Sequence, residues 1–102
     1  MNEVENIKTI ILRKFISEKS RELSCEVRID WRTESVDILL NHGDLNFTTP
    51  HGTPKIVIYF ASFESVSSVL SGETHHIDEF MAGKLRSNGH LIPVLQTLHC
   101  FR

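Results

Sequence analysis

Leu23-Ser24-Cys25-Glu26-Val27-Arg28-Ile29-Asp30-Trp31-Arg32 alternates apolar and polar side chains without a break. Side chains of a strand point alternately to its two faces, so Leu23, Cys25, Val27, Ile29 and Trp31 share one buried face. Downstream, Val36, Ile38 and Leu40 alternate again after Arg32-Thr33-Glu34-Ser35, which predicts a hairpin of two antiparallel strands. A second turn cluster, Asn41-His42-Gly43-Asp44, precedes Leu45 and Phe47, so a three-strand meander is expected to end at Thr49-Pro50-His51-Gly52-Thr53-Pro54. Lys55–Phe60 is apolar on both faces, which suits a strand in the middle of the sheet that is covered on both sides. Upstream, Val4, Ile7, Ile10, Ile11, Leu12, Phe15 and Ile16 recur at helical spacing and predict a helix over 4–17 with one buried face. The polar run Ser17–Glu22 then reads as a linker.

Beyond the sheet, Ser62 is placed to cap a helix carrying Phe63, Val66, Val69 and Leu70, with Gly72 as its stop. Thr74 is placed to cap a shorter one through Ile77, Phe80 and Met81, ending at Gly83. Lys84–Ser87 suits a last short strand, and Leu91, Ile92, Val94, Leu95, Leu98 and Phe101 form a closing helical stripe with Pro93 in its first turn. The order of elements predicts an α+β domain over 1–102 whose sheet is covered by helices on one face.

The 102 residues accommodate one hydrophobic core, and 40% hydrophobic with 24% charged residues describes a globular chain, not a disordered one. Eleven basic against thirteen acidic side chains leave a formal charge of −2, which disfavours a nucleic-acid partner. No run approaches the roughly twenty apolar residues of a membrane span. The acidic start Met1–Asn6 is unlike a secretory signal. Cys25 and Cys100 stand far apart with no Cys-x-x-Cys spacing, which fits a reducing cytoplasm.

Six histidines are the noticeable excess: His42, His51, His75, His76, His90 and His99. On a helix His75 and Glu79 share a face and could supply two metal ligands, with His90 or His99 brought in by folding. The competing account is of exposed or capping imidazoles, and neither a His-Glu-x-x-His nor a cysteine pair stands against it, so no metal or other cofactor is assigned. No nucleophile elbow surrounds any serine or Cys100, and Cys25 on the apolar side of a strand reads as inert. Asp78 and Glu79 are adjacent on a helix and diverge. Gly83 and Gly89 lack the pattern of a phosphate loop. No catalytic residue is assigned.

What remains is the apolar last third, read either as core or as the lining of a cavity for a flexible hydrophobic ligand. Lys84 and Arg86 beside it either attract anionic lipid headgroups or form the wet face of a strand. Phe63–Gly72 and Phe80-Met81-Ala82-Gly83-Lys84-Leu85-Arg86-Ser87-Asn88-Gly89 resemble the sterol carrier protein type-two, or sterol-binding domain, family: its helix ending in glycine, its Phe-Met-x-Gly-Lys-Leu element and the glycine after its last strand. The resemblance implies a five-stranded sheet with helices on one side, enclosing an apolar tunnel for sterols, fatty acids, acyl-coenzyme A or phospholipids, and no catalytic residues. It carries over Phe80 and Met81 by motif, and Leu85 and the last helix by location. With Phe63, Leu91, Leu95 and Leu98 these make up the expected lipid-binding set.

The thirteen residues after Gly89 are fewer than the family's usual last helix and tail, which suggests a wider tunnel mouth or a partner subunit there. Cys100-Phe101-Arg102 is not the peroxisomal address of some family members. In a bacterial source, an acyl chain, quinone or isoprenoid would suit better than a sterol. The expectation is therefore non-catalytic binding or carriage of a hydrophobic ligand in the cytoplasm. The alternative is an accessory or scaffold module that holds a partner protein, or a second copy of itself, in lipid or quinone metabolism, with Leu95, Leu98 and Phe101 exposed as the interface.

Overall fold

The computed structural model describes residues 2–48 and 54–101. Ten elements follow one another: helix α1 (Glu3–Lys14), a 3-10 turn (Ser17–Ser20), strands β1 (Ser24–Asp30), β2 (Ser35–Asn41), β3 (Asp44–Thr48) and β4 (Ile56–Phe60), helices α2 (Phe63–Leu70) and α3 (His76–Met81), strand β5 (Leu85–Ser87) and helix α4 (Leu91–His99). The five strands form one sheet in the order β3-β2-β1-β4-β5. β1 pairs antiparallel with β2 and parallel with β4, while β2–β3 and β4–β5 are antiparallel. The expected end of the meander at Thr49–Pro54 lies, apart from Pro54, outside the described residues, as does His51.

The alternation in β1 does what its period requires. Val27 and Ile29 are fully buried in the core, while Glu26, Arg28 and Asp30 lie on the sheet's other face. There Arg28 Nε donates to Asp37 Oδ1 at 2.8 Å and its Nη2 to Oδ2 at 3.1 Å, a bidentate pair across β1 and β2. The β2–β3 turn has positive φ at both His42 and Gly43, the type I′ geometry that matches hairpin twist. His42 Nδ1 lies 3.0 Å from Arg21 O, which ties this turn to the chain entering β1.

Helix α1 starts where Asn2 Oδ1 accepts the Glu5 N–H at 2.8 Å, with Glu3 and Glu5 in the first turn and Arg13 and Lys14 in the last. It ends three residues before the predicted Ser17, because Phe15 turns to extended backbone and packs its ring 5.9 Å from that of Phe101. The expected linker is instead a 3-10 turn. Trp31 is buried, and its indole N–H donates to Glu3 Oε1 at 3.0 Å, which locks the start of α1 to the β1–β2 hairpin.

Two further expectations need correcting. β4 has strands on both edges as expected, yet β1 and not β4 is the middle strand, and the second face of β4 is covered at Val57 but not at Tyr59. Ile56, Ile58 and Phe60 enter the core, whereas Tyr59 is 44% exposed, its phenol giving an otherwise apolar strand one wet position. The cap of α3 is His75, whose Nδ1 accepts the Ile77 N–H at 3.1 Å, and not Thr74. The cap of α2 is Ser62 as expected, accepting the Ser65 N–H at 3.1 Å.

Helix α4 packs Val94 and Leu98 into the core, and Ile16 N–H donates to Cys100 O at 2.7 Å, tying the end of the helix to the end of α1. Burial pushes the Cys25 thiol upward against an opposing hydrogen bond with Thr97. It pushes Cys100 up to about 11, with Cys25 adding to the rise and Lys19 opposing it. Both thiols are thus protonated at neutral pH and poor nucleophiles.

Two results are expected. Ile58→Ala, at a site with no exposed surface, should lower the unfolding free energy in urea by about 2–5 kcal/mol. Leu12→Ala on the exposed side of α1 should change it by about 0.5 kcal/mol or less. For Cys100 the unfolded chain releases its proton near 9.0 and the folded chain only near about 11, so stability falls as pH rises through that window. Urea midpoints measured across it should fall less steeply in Cys100→Ala.

Candidate functional site

Seven residues were expected to line a cavity, and the structure places two of them in the core, two half-buried and three on the surface. Leu85 and Leu98 are core residues with almost no surface. Phe63 is half-buried against that core and borders a shallow groove with Ile10 and Arg13 of α1. Leu95 is half-buried. Phe80, Met81 and Leu91 stand exposed, Met81 at 78%. Five surface clefts of about 240 to 400 Å³ are open grooves, and none takes in Phe80, Met81, Leu85, Leu91, Leu95 or Leu98. Nor do Leu98 and Phe101 form the exposed interface that the scaffold alternative requires, because both are buried against the sheet and α1.

The exposed apolar side chains have a different distribution. Ile77, Phe80 and Met81 form one stripe on α3, and Leu91 and Ile92 occupy the first turn of α4, with Ile92 71% exposed. These helices immediately precede and follow β5, which among the described residues pairs only with β4 and so is an edge strand of the sheet. Large apolar residues therefore stand on the two helices joined in sequence to β5. Ile77 and Ile92 were missed as site candidates; the i, i+3, i+4 spacing of Ile77 with Phe80 and Met81 shows they share a face, but not that the face is outward.

Local order around this surface is uneven. On α3, Glu79 is buried and its Oε2 accepts the Ser65 hydroxyl at 3.3 Å, which joins α3 to α2. The rings of His75 and His76 stack with centroids 4.5 Å apart. With His75 Nδ1 committed to the cap and Glu79 to Ser65, the pair weighed as metal ligands is already engaged. Among the described residues no group of three or more His, Cys, Asp or Glu could hold a metal ion. α4 begins at His90, which makes no side-chain capping bond, so the turn bearing Leu91 and Ile92 lacks the support that Asn2 and Ser62 give α1 and α2.

No protein-family model matches the chain, and no curated protein matches it in sequence. Solved structures do match in shape. The sterol carrier protein 2-like 2 of Aedes aegypti superposes with a TM-score of 0.62 at 13% identity over 96% of this chain and 98% of that one. The ubiquinone synthesis protein UbiJ-SCP2 superposes with a TM-score of 0.66 at 11% identity, over 91% of this chain and 82% of its own. A segment of the stereoselective inverting sec-alkylsulfatase Pisa1 of Pseudomonas sp. matches with a TM-score of 0.70 at 6% identity over 86% of this chain, which spans only 14% of that enzyme. At such identities the likeness is one of architecture, and the architecture that recurs is an α+β sheet with helices packed on it. This chain has the sterol carrier protein 2 fold.

Proposed function

We propose that this chain binds the hydrocarbon part of a lipid, such as a fatty acid, acyl-coenzyme A, sterol or quinone, and carries it in the cytoplasm without making or breaking a covalent bond. The observation that carries this reading is the set of large apolar side chains left exposed on α3 and the first turn of α4, the helices that precede and follow β5 in the chain. Covering a Phe or Met side chain with hydrocarbon gives about 1.5–3 kcal/mol before association costs are subtracted, so a few such residues supply useful affinity. The fold adds support: one neighbour, the Aedes aegypti sterol carrier protein 2-like 2, is described as palmitated.

A ligand that enters beneath these helices has to displace packed side chains, because Val69, Leu70, Leu85 and Val94 fill the interior there. The six-residue α3 and the uncapped start of α4 are the cheapest of the α-helical segments to move, since local opening costs least where few backbone groups are tied down. No helix of the described residues is long and apolar enough to cross a membrane. A second reading, a module that docks a partner protein or a second copy through the same exposed side chains, is favoured by that filled interior.

Native mass spectrometry of the purified protein and displacement of a fluorescent fatty acid test the proposal. A co-purifying lipid and saturable displacement are expected. Phe80→Glu should weaken binding about tenfold, while Leu12→Glu on α1 should leave it unchanged. An absence of both bound lipid and saturable displacement would overturn the reading. A stable hetero-complex or dimer in gel filtration, dissociated by Phe80→Glu, would support the second.

A further inference from the structure

β1 and β4 run parallel, and at their carboxyl ends the chain leaves in different directions, β1 turning back into β2 and β4 passing on to α2. Such a divergence opens a crevice. Here it is a cleft of about 240 Å³ in which Asp30, Arg32, Tyr59, Lys84 and Arg86 supply the polar groups. Pairing of Asp30 with Tyr59 and of Tyr59 with Arg86 sets these three in one row across neighbouring strands. Strand spacing is about 4.8 Å and paired residues share a face, so the row presents a carboxylate, a phenol and a guanidinium side by side. The Arg86 guanidinium folds back over the loop before β5, with Nη2 3.9 Å from where a Cβ on Gly83 would stand. Gly83 has φ +78, a conformation that glycine adopts without strain.

Arg32 carries the strongest signal. Its φ is +79, and Thr33 N–H donates to Trp31 O at 3.0 Å, a three-residue turn with an i to i+2 hydrogen bond. That is the rare γ-turn, strained for any residue with a side chain. The strain is held in place by Asp30, whose Oδ1 accepts the Arg32 N–H at 2.8 Å. Glycine would relieve it, yet the chain places arginine there, beside the same cleft that Lys84 and Arg86 enter. Among the described residues none of these three cations forms an ion pair, in contrast to Arg28 on the same sheet face, which is held by Asp37. The one carboxylate of the cleft is already engaged by a backbone N–H. Three cations against one carboxylate leave the cleft net positive in a chain whose overall charge is −2.

We propose that this cleft is a phosphate-binding site, with Arg32 and Arg86 donating in forked geometry to phosphate oxygens, Lys84 adding a point charge and the Tyr59 hydroxyl a further donor. Three cations suit a phosphate group better than the single charge of a carboxylate. The group is either the headgroup of a phospholipid or a soluble phosphate ester; both present the same oxygens to the cleft. The cleft shares no lining residue with the apolar side chains of the hydrocarbon-binding proposal and does not depend on it.

Backbone-amide NMR in phosphate-free buffer, titrated with inorganic phosphate, tests the site. Saturable shifts at Arg32, Lys84 and Arg86 are expected. Arg32→Gly should weaken binding about tenfold while leaving the melting temperature unchanged or higher, because glycine accepts the turn. Lys84→Gln should weaken binding without touching the turn. Co-sedimentation with vesicles of phosphatidylcholine containing phosphatidic acid, but not with phosphatidylcholine alone, and lost in Arg32→Gly, would support the site with a lipid headgroup as the source. Phosphate shifts without co-sedimentation would support it with a soluble ester as the source. Non-saturating shifts, equal shifts with chloride, or an undiminished response in both variants would overturn it.

Discussion

Strand β1 accepts an antiparallel partner on one edge and a parallel partner on the other, and the fold depends on its ability to do both. One face has to be apolar enough to hold the helical layer, which Val27 and Ile29 provide, and the other has to keep charges in place beside water, which the Arg28–Asp37 pair provides. A slip of one residue in register would exchange these faces and bury Arg28 and Asp30 beneath the helices. The strict alternation from Leu23 to Arg32 specifies against that slip. The tie from Trp31 to Glu3 then fixes where α1 crosses the sheet, and the bond from Ile16 to Cys100 brings the last helix alongside.

Because the parallel partner of β1 comes from a later part of the chain, β4 and β5 extend the sheet on the side away from the hairpin and leave β5 as a short edge strand among the described residues. Of the α-helices, the two joined to that edge are supported least evenly: α3 is brief and α4 lacks a capping bond. There the chain leaves apolar side chains in water. Where β1 and β4 end, it gathers three cations, one of them a strained arginine, around a single carboxylate. Both departures from local economy occur in the half of the sheet built around β4, as expected when binding surfaces are placed where the scaffold is open.

Much of this was legible in the sequence and some of it was not, for identifiable reasons. The alternation of β1 and β2, the turn between them and the Ser62 cap are local, and each stands where its residues require. Phe63–Gly72 and the Phe80–Gly89 string pointed to the sterol carrier fold through residues that the structure places on α2, α3 and β5. The end of α1 was misread because Phe15 and Ile16 continue its apolar spacing while packing from extended backbone. Tyr59 was read as covered because a phenol counts as apolar in a run of Ile, Val and Phe. Parallel pairing of β1 with β4 has no local signature, since it depends on a tertiary contact. The division of the last third into core and surface was invisible for the same reason: Leu85 and Met81 are equally greasy, but one is buried in the core and the other stands in solvent. Arg32 carried no signal, since an arginine in place of the usual glycine gives no warning of a positive φ.

Paramagnetic broadening of the protein's amide and methyl resonances by a fatty acid spin-labelled along its chain would locate the hydrocarbon directly. The account expects broadening centred on Ile77, Phe80, Met81, Leu91 and Ile92, fading across the sheet toward β3. Broadening that is absent at saturating ligand, or centred instead on α1 and the β2–β3 turn, would contradict it.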